Sequence, residues 1–230
     1  MTMSNKRQQL ISENKPYFPL RNAYYKALVE IGLLENVDLS ATIKIEEKKE
    51  EKAIHTVILT NLHCKNECEE VVEIWKFDLE KEKRGYKTIG KPTECAILVF
   101  LKRENEDKIV VLLPELKSSL QTNKTLEHCE GKFKDTMNRL YLLLLATNDR
   151  ETTESDLKNT KIIFKGIIFY IRDEINEANE SDGALKRIKY DENGKGIATF
   201  STILNENDKI QVVFQKTAQI SEFPIENFIF

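Results

Sequence analysis

Glu115 and Lys117 stand two residues apart at the end of an apolar run, DKIVVLLPELK (107–117). On an extended chain residues i and i+2 share a face. A carboxylate and an ammonium therefore point one way while Leu116 points the other. Glu94 opens the preceding apolar run, ECAILVFLK (94–102), and RENE (103–106) reads as a short polar turn between the two. An antiparallel hairpin turning between 104 and 105 sets residue 94 opposite 115, so two carboxylates and an ammonium converge at its open end. Carboxylate oxygens make a hard site for Mg²⁺ or Mn²⁺. Such a cation polarises a phosphoryl oxygen and helps generate hydroxide. A neighbouring lysine can hold the attacking water or offset charge that develops on the phosphate.

The triplet alone carries little weight. With 38 acids and 27 lysines, about four [DE]xK triplets arise by chance. Glu46/Lys48, Glu106/Lys108, Glu130/Lys132 and Asp156/Lys158 are others. What singles out Glu115/Lys117 is its place at the end of a strand apolar on both faces, where stranded charge is costly. The plain alternative is that the strand stops at Pro114, which cannot donate to a ladder, and that the charges face water.

Several elements must position these residues. Leu20, Ala23, Tyr24, Ala27, Leu28, Ile31 and Leu34 recur at helical spacing and predict a helix over 20–35. VDLSATIKIEE reads as a strand running into the charge run EEKKEEK (46–52), an exposed hairpin end or solvated loop. AIHTVILTNLHC (53–64) and EVVEIWKFDLE (70–80) predict an antiparallel hairpin. Leu126, Cys129, Phe133, Met137, Leu140, Tyr141 and Leu144 mark a long helix over 125–147. KIIFKGIIFYI (161–171) is another apolar strand, and LKRIKY, IATFSTIL and KIQVVFQK are further short ones. The terminal ENFIF is apolar enough to pack back on the core or to reach into another subunit.

In this order the chain resembles the PD-(D/E)xK nuclease superfamily, whose restriction-endonuclease-like core runs helix, three strands, helix, strand. Glu115-Leu116-Lys117 matches the (D/E)xK element and Glu94 the first acid, although no Pro-Asp precedes it; Asp78 and Asp107 are the alternatives. Glu30 falls where some members carry an acid on the first helix. Lys132 or Lys134 falls where some carry a basic or amide residue. The resemblance spans roughly 20–171. It implies an α+β (α/β) fold with a mixed central sheet flanked by helices, here with a β-rich C-terminal extension. The expected divisions are a flexible segment over 1–18, the core over 19–175, and the extension over 176–230 on the same domain. It further implies a Mg²⁺- or Mn²⁺-dependent endonuclease acting on DNA in restriction, phage defence or repair, working as a homodimer or with a partner protein. Glu94 and Glu115, with Glu30 as an accessory, would hold the metal, and Lys117 and Lys132 would serve catalysis. A different class remains open: a non-catalytic module binding protein or nucleic acid, built on a degenerate nuclease fold or on an unrelated α+β scaffold. An enzyme should bring Glu94 and Glu115 close enough to share one cation; a scaffold would leave them apart or pair them with local lysines.

Composition bounds the rest. Hydrophobic residues make up 40% of the 230, which supports a packed core. Basic and acidic residues nearly cancel, 35 against 38, so no global positive charge argues for nucleic acid. Basic residues cluster modestly at 81–91 and 184–195, as in ordinary solvated turns. No apolar run approaches the roughly 18–20 residues of a membrane span. The first fifteen residues show no apolar signal segment, and four cysteines suit a reducing cytoplasm, the expected compartment. His63, Cys64, Cys68, Cys95, His128 and Cys129 lack zinc-knuckle spacing. Adjacent His128 and Cys129 point about 100° apart on a helix and cannot act as a pair. No GxGxxG, GxxxxGK[ST] or GxSxG occurs. Trp75 and Phe77 read as sheet packing rather than as base-stacking platforms.

Overall fold

The computed structural model describes residues 22–49, 52–79, 92–103, 107–120, 123–146, 160–173, 189–190, 196–201 and 209–230. The segment 1–18, the basic stretch 81–91 and most of 184–195 lie outside them. The chain runs α1 (Asn22–Glu30), β1 (Leu34–Val37), β2 (Ile43–Lys49), β3 (Lys52–Thr60), β4 (Glu70–Phe77), β5 (Ala96–Lys102) and β6 (Asp107–Leu120). It continues through α2 (Asn123–Ala146), β7 (Thr160–Asp173), β8 (Lys189–Tyr190), β9 (Gly196–Ser201), β10 (Lys209–Lys216), β11 (Ile220–Pro224) and α3 (Glu226–Ile229).

The fold is α+β, with two sheets. The larger is mixed and eight-stranded, in the order β1-β4-β5-β6-β7-β10-β9-β8; the smaller is β11-β3-β2. β4, β5 and β6 form an antiparallel meander. α2 then carries the chain over to β7, which pairs parallel to β6. β10 pairs parallel to β7, so the C-terminal strands extend the same sheet.

Strand β6 alternates between two apolar layers. Ile109, Val111 and Leu113 face a cluster that includes Leu28 of α1 and Leu126, Cys129, Phe133, Met137 and Leu140 of α2. Val110, Leu112 and Leu116 face Ile43, Ile45, Val57 and Leu59 of the small sheet. α1 and α2 thus pack on one face, and a second sheet covers the other. The terminal ENFIF returns to the core: Phe228 and Ile229 are buried, and Phe169, Phe223 and Phe228 form an aromatic triad.

Three expectations need correction. The first helix ends at Glu30, not 35. Gly32 takes φ 68°, its N–H donates to Val29 O at 2.8 Å, and Leu33 N–H donates to Leu28 O at 2.9 Å. This Schellman closure needs a left-handed residue, which glycine supplies without a Cβ clash; Leu34 then starts a strand. The hairpin expected between 53–64 and 70–80 does not form. β3 pairs with β2 and β11 while β4 pairs with β1 and β5, and only the bridge Lys65↔Glu70 closes the loop between them. The charge run 46–52 does span a hairpin end, between β2 and β3. Finally, β6 does not stop or shift at Pro114: its ladder to β7 runs through Pro114↔Ile167 to Leu120↔Asp173.

Gly166 of β7 sets how closely α2 approaches. A Cβ there would stand 3.0 Å from Phe133 Cε2 and 3.0 Å from Val212 Cγ2, and both side chains are fully buried. Gly166→Ala is expected to destabilise the protein by about 1–3 kcal/mol through overpacking. That exceeds the roughly 0.4–1 kcal/mol gained from the unfolded chain, and urea unfolding reads the difference.

His55 ties the small sheet to the strand ends. Its Nε2 lies 2.8 Å from Thr217 Oγ1, and the Thr217 hydroxyl donates to Tyr170 O at 3.1 Å. The ring is therefore the donor toward Thr217, and the neutral Nε2–H tautomer fits. Nδ1 is buried with no partner. Burial pushes this imidazole below its ordinary value of 6.5. The unfolded chain then binds the proton more readily, so the stability held by the neutral ring is present above pH 6.5 and lost as pH falls through the depressed folded value. Unfolding free energy should fall as pH drops from 6.5 toward the depressed folded value and level off below it, and His55→Gln, which keeps a donor but does not titrate, should flatten this part of the profile.

Candidate functional site

The site forms where one strand outruns its neighbour. β5 pairs with β6 from Leu101↔Lys108 to Ile97↔Leu112. β6 then continues beside β7 alone for eight more residues. Pro114 loses no bond on the side where the ladder has already ended. The β5–β6 register, extended three residues past Ile97, sets 94 opposite 115, as the sequence predicts.

Glu115 is fully buried. Its Oε1 accepts from Lys117 Nζ at 2.5 Å and from Lys132 Nζ of α2 at 2.7 Å. Lys132 Nζ also lies 3.6 Å from Glu94 Oε1. Two carboxylates therefore share one ammonium, and Glu115 keeps a second. Glu115 Oε2 is buried without a hydrogen-bond partner. Removing such a charge from water costs several kcal/mol even after relaxation. An apolar residue here would be cheaper, so the position points to a role beyond packing.

Two threonines hold Glu94 against Lys132. Thr93 N–H donates to Thr136 Oγ1 at 2.8 Å, and the Thr136 hydroxyl donates to Lys132 O at 2.8 Å. The Thr93 hydroxyl donates to Cys95 O at 2.8 Å. Both side chains are fully buried. The segment entering β5 is thereby fixed to α2 one turn beyond Lys132.

The second sheet supplies another acid. Glu47 of β2 lies within electrostatic reach of Lys117, Glu115 and Lys132. Desolvation chiefly raises its carboxyl above the ordinary range, Lys117 opposes the rise, and Glu115 adds to it. Glu47 Oε2 is also buried without a partner. Glu47, Glu94 and Lys132 line a cavity of about 450 Å³, whose rim also carries Lys44, Lys76 and Asp78. Lys76 Nζ donates to Lys44 O at 2.8 Å, which draws the two lysines of the rim together.

Glu94, Glu115, Lys117 and Lys132 are thus brought together. Each acid is paired with a lysine, and Lys132 joins the two. Glu30 is not among them: it is the exposed last residue of α1, and no contact described for the group reaches it. Lys134 pairs with Glu130 at 3.0 Å instead. Of the alternative first acids, Asp78 lines the cavity, while Asp107 opens β6 at the end away from Glu115. Among the described residues, no group of three or more His, Cys, Asp or Glu is already gathered as a metal site; between Glu94 and Glu115 stands Lys132. Cys64, Cys95 and Cys129 are buried free thiols, and burial pushes Cys129 up to about 12, too high for a nucleophile near neutral pH. Trp75 and Phe77 are core residues, Trp75 meeting Phe100 edge-on at 4.9 Å.

Sequence reasoning missed Glu47, Thr93 and Thr136. Glu47 sits inside a charge run that reads as solvated, and the two threonines carry no motif. No family model, curated protein or solved structure matches the chain. Its function is therefore argued from this group of side chains.

Thr136→Val keeps the shape but removes the acceptor for Thr93 N–H. A buried donor left unpaired costs about 1–3 kcal/mol, so chemical denaturation should show a loss of that size. Thr136→Ser, which keeps the hydroxyl, should recover most of it.

Proposed function

We propose that the protein is a metal-dependent endonuclease that hydrolyses DNA phosphodiester bonds. The observation that carries this reading is the fully buried Glu115 at the end of β6, with an unpartnered oxygen, beside Glu94, Lys117 and Lys132. With β1, β2 and β3 set between α1 and β4, the order α1, antiparallel β4-β5-β6, α2 and parallel β7 also supports it, being the order that the resemblance to PD-(D/E)xK nucleases implies. A glutamate in place of the first aspartate, an exposed Glu30 outside the group, and both α1 and α2 on one face of the sheet are departures from that pattern.

The donor set suits a hard divalent cation. Glu94 and Glu115 offer carboxylate oxygens, and Glu115 Oε2 has no other partner to leave. Mg²⁺ or Mn²⁺ bound there would polarise a phosphoryl oxygen and lower the pKa of a water. The remaining work falls to the chain. Lys117, held on the same face of β6 as Glu115, would orient the attacking water and offset charge on the phosphate. Lys132 would do the same from α2 once released from the two acids. Lys44 and Lys76 at the rim suit contacts to the phosphate backbone. The near balance of total charge is consistent with a homodimer or a partner protein supplying further grip on DNA, as in restriction or phage-defence systems.

The lysine pairing of both acids favours a second reading, a non-catalytic module with a degenerate site. Plasmid nicking with Mg²⁺ or Mn²⁺ separates the two. Under the first reading purified protein nicks the plasmid, and Glu115→Gln and Lys117→Met each reduce the rate on the order of 10²–10³-fold while melting cooperatively. Metal-independent nicking, or nicking untouched by both substitutions, would overturn the assignment.

A further inference from the structure

We propose that Glu47, on a strand outside the helix–three strands–helix–strand unit, is a third carboxylate of the metal site, so that the small sheet is part of the catalytic centre. The inference rests on the nuclease reading and adds a ligand to it. Three observations carry it. First, Ile43, Ile45 and Glu47 alternate along β2, and the two isoleucines are buried against the large sheet. Glu47 continues that inward row, where a third apolar residue would fit a plain packing role. The ladder to β3 shifts between Glu47 and Lys48, the kind of irregularity that re-aims a side chain.

Second, two buried carboxylate oxygens in one neighbourhood lack partners: Oε2 of Glu47 and Oε2 of Glu115, the latter on a side chain with no solvent exposure. Buried polar atoms are almost always satisfied. Glu47 lines one cavity with Glu94 and Lys132 and lies within electrostatic reach of Glu115, so a cation entering that cavity can serve both orphaned acceptors. Third, Lys117 and Lys132 both place their ammonium on Oε1 of Glu115, so the buried Oε2 of that carboxylate is left for another ligand. Carboxylate oxygens select a hard divalent cation over a soft one. By contrast Glu46, the preceding residue, has Lys44 at 2.7 Å.

The test uses Mn²⁺ alone, titrated into the full chain and followed by the electron paramagnetic resonance of the free ion. Wild type should bind. Glu47→Gln should weaken binding on the order of tenfold or more, with its metal-free melting temperature no lower than that of wild type, because it removes a desolvated charge. If Glu47→Gln melts lower, Glu47→Asp replaces it as the probe: it keeps the charge and should retain more affinity than the Gln variant. Binding that Glu115→Gln abolishes but Glu47→Gln leaves within about twofold would overturn the role of Glu47 and spare the nuclease reading. No Mn²⁺ binding by wild type would overturn both.

Discussion

A carboxylate with no exposure to water, placed on a central strand, is the constraint around which the rest is arranged. A carboxylate so placed needs partners at hand, and Glu115 has two ammonium groups on Oε1. One comes from two residues further along the same strand, an inexpensive source because i and i+2 share a face. The other must come from α2, so the helix has to pass at a definite height and rotation. Gly166 permits the close approach under Phe133, the neighbour of Lys132. Thr136 locks the next turn to the start of β5. The height and rotation of α2 therefore decide whether Lys132 reaches both acids. The apolar packing of Cys129, Phe133, Met137 and Leu140 is therefore also the alignment of the site.

The small sheet answers a different need. The face of β6 away from the helices carries Val110, Leu112 and Leu116, and without cover these would lie in water. β2, β3 and β11 cover them, with α3 closing the end. The cover is assembled from two distant parts of the chain, since β11 pairs parallel to β3. Its joint is polar, through His55, Thr217 and Tyr170 O, and apolar, through Phe169, Phe223 and Phe228. Because Lys44 and Glu47 belong to this cover, docking of the second sheet also builds one wall of the cavity that Glu94 and Lys132 line.

How far the sequence reveals this depends on the range of each interaction. The convergence of Glu94 with Glu115 and Lys117 is legible because a four-residue turn sets the register, a local property. The helix stop at Gly32 is legible only in part: spacing continues to Leu34, but a left-handed glycine ends the helix earlier. The partner of β3 is not legible. Residues 53–60 and 70–77 both read as strands, and alternation says nothing about which sheet a strand joins. Nine residues separate them, long enough to cross between layers rather than turn back. Glu47 is hidden for a related reason: in EEKKEEK every residue looks solvated, and only the docking of β2 tells which glutamate turns inward. Thr93 and Thr136 are ordinary in sequence and meaningful only because two segments meet.

Lysine at position 132 is itself an argument about how such a site survives without metal. Several carboxylates facing one partly dry cavity repel, and some must be neutralised by protons or by cations. In this structure Lys132 does so, placing one ammonium between Glu94 and Glu115. An arginine would grip a carboxylate with a rigid bidentate fork. A lysine presents a point charge on a flexible stem, which can leave without remaking a planar hydrogen-bond pattern. The side chain is 11% exposed, so its path out opens on the cavity rather than on packed core. The same residue thus stabilises the metal-free fold and, on the proposed reading, competes with the divalent cation for the same oxygens. Affinity for metal would then be set by the difference between two cations at one place, not by the carboxylates alone.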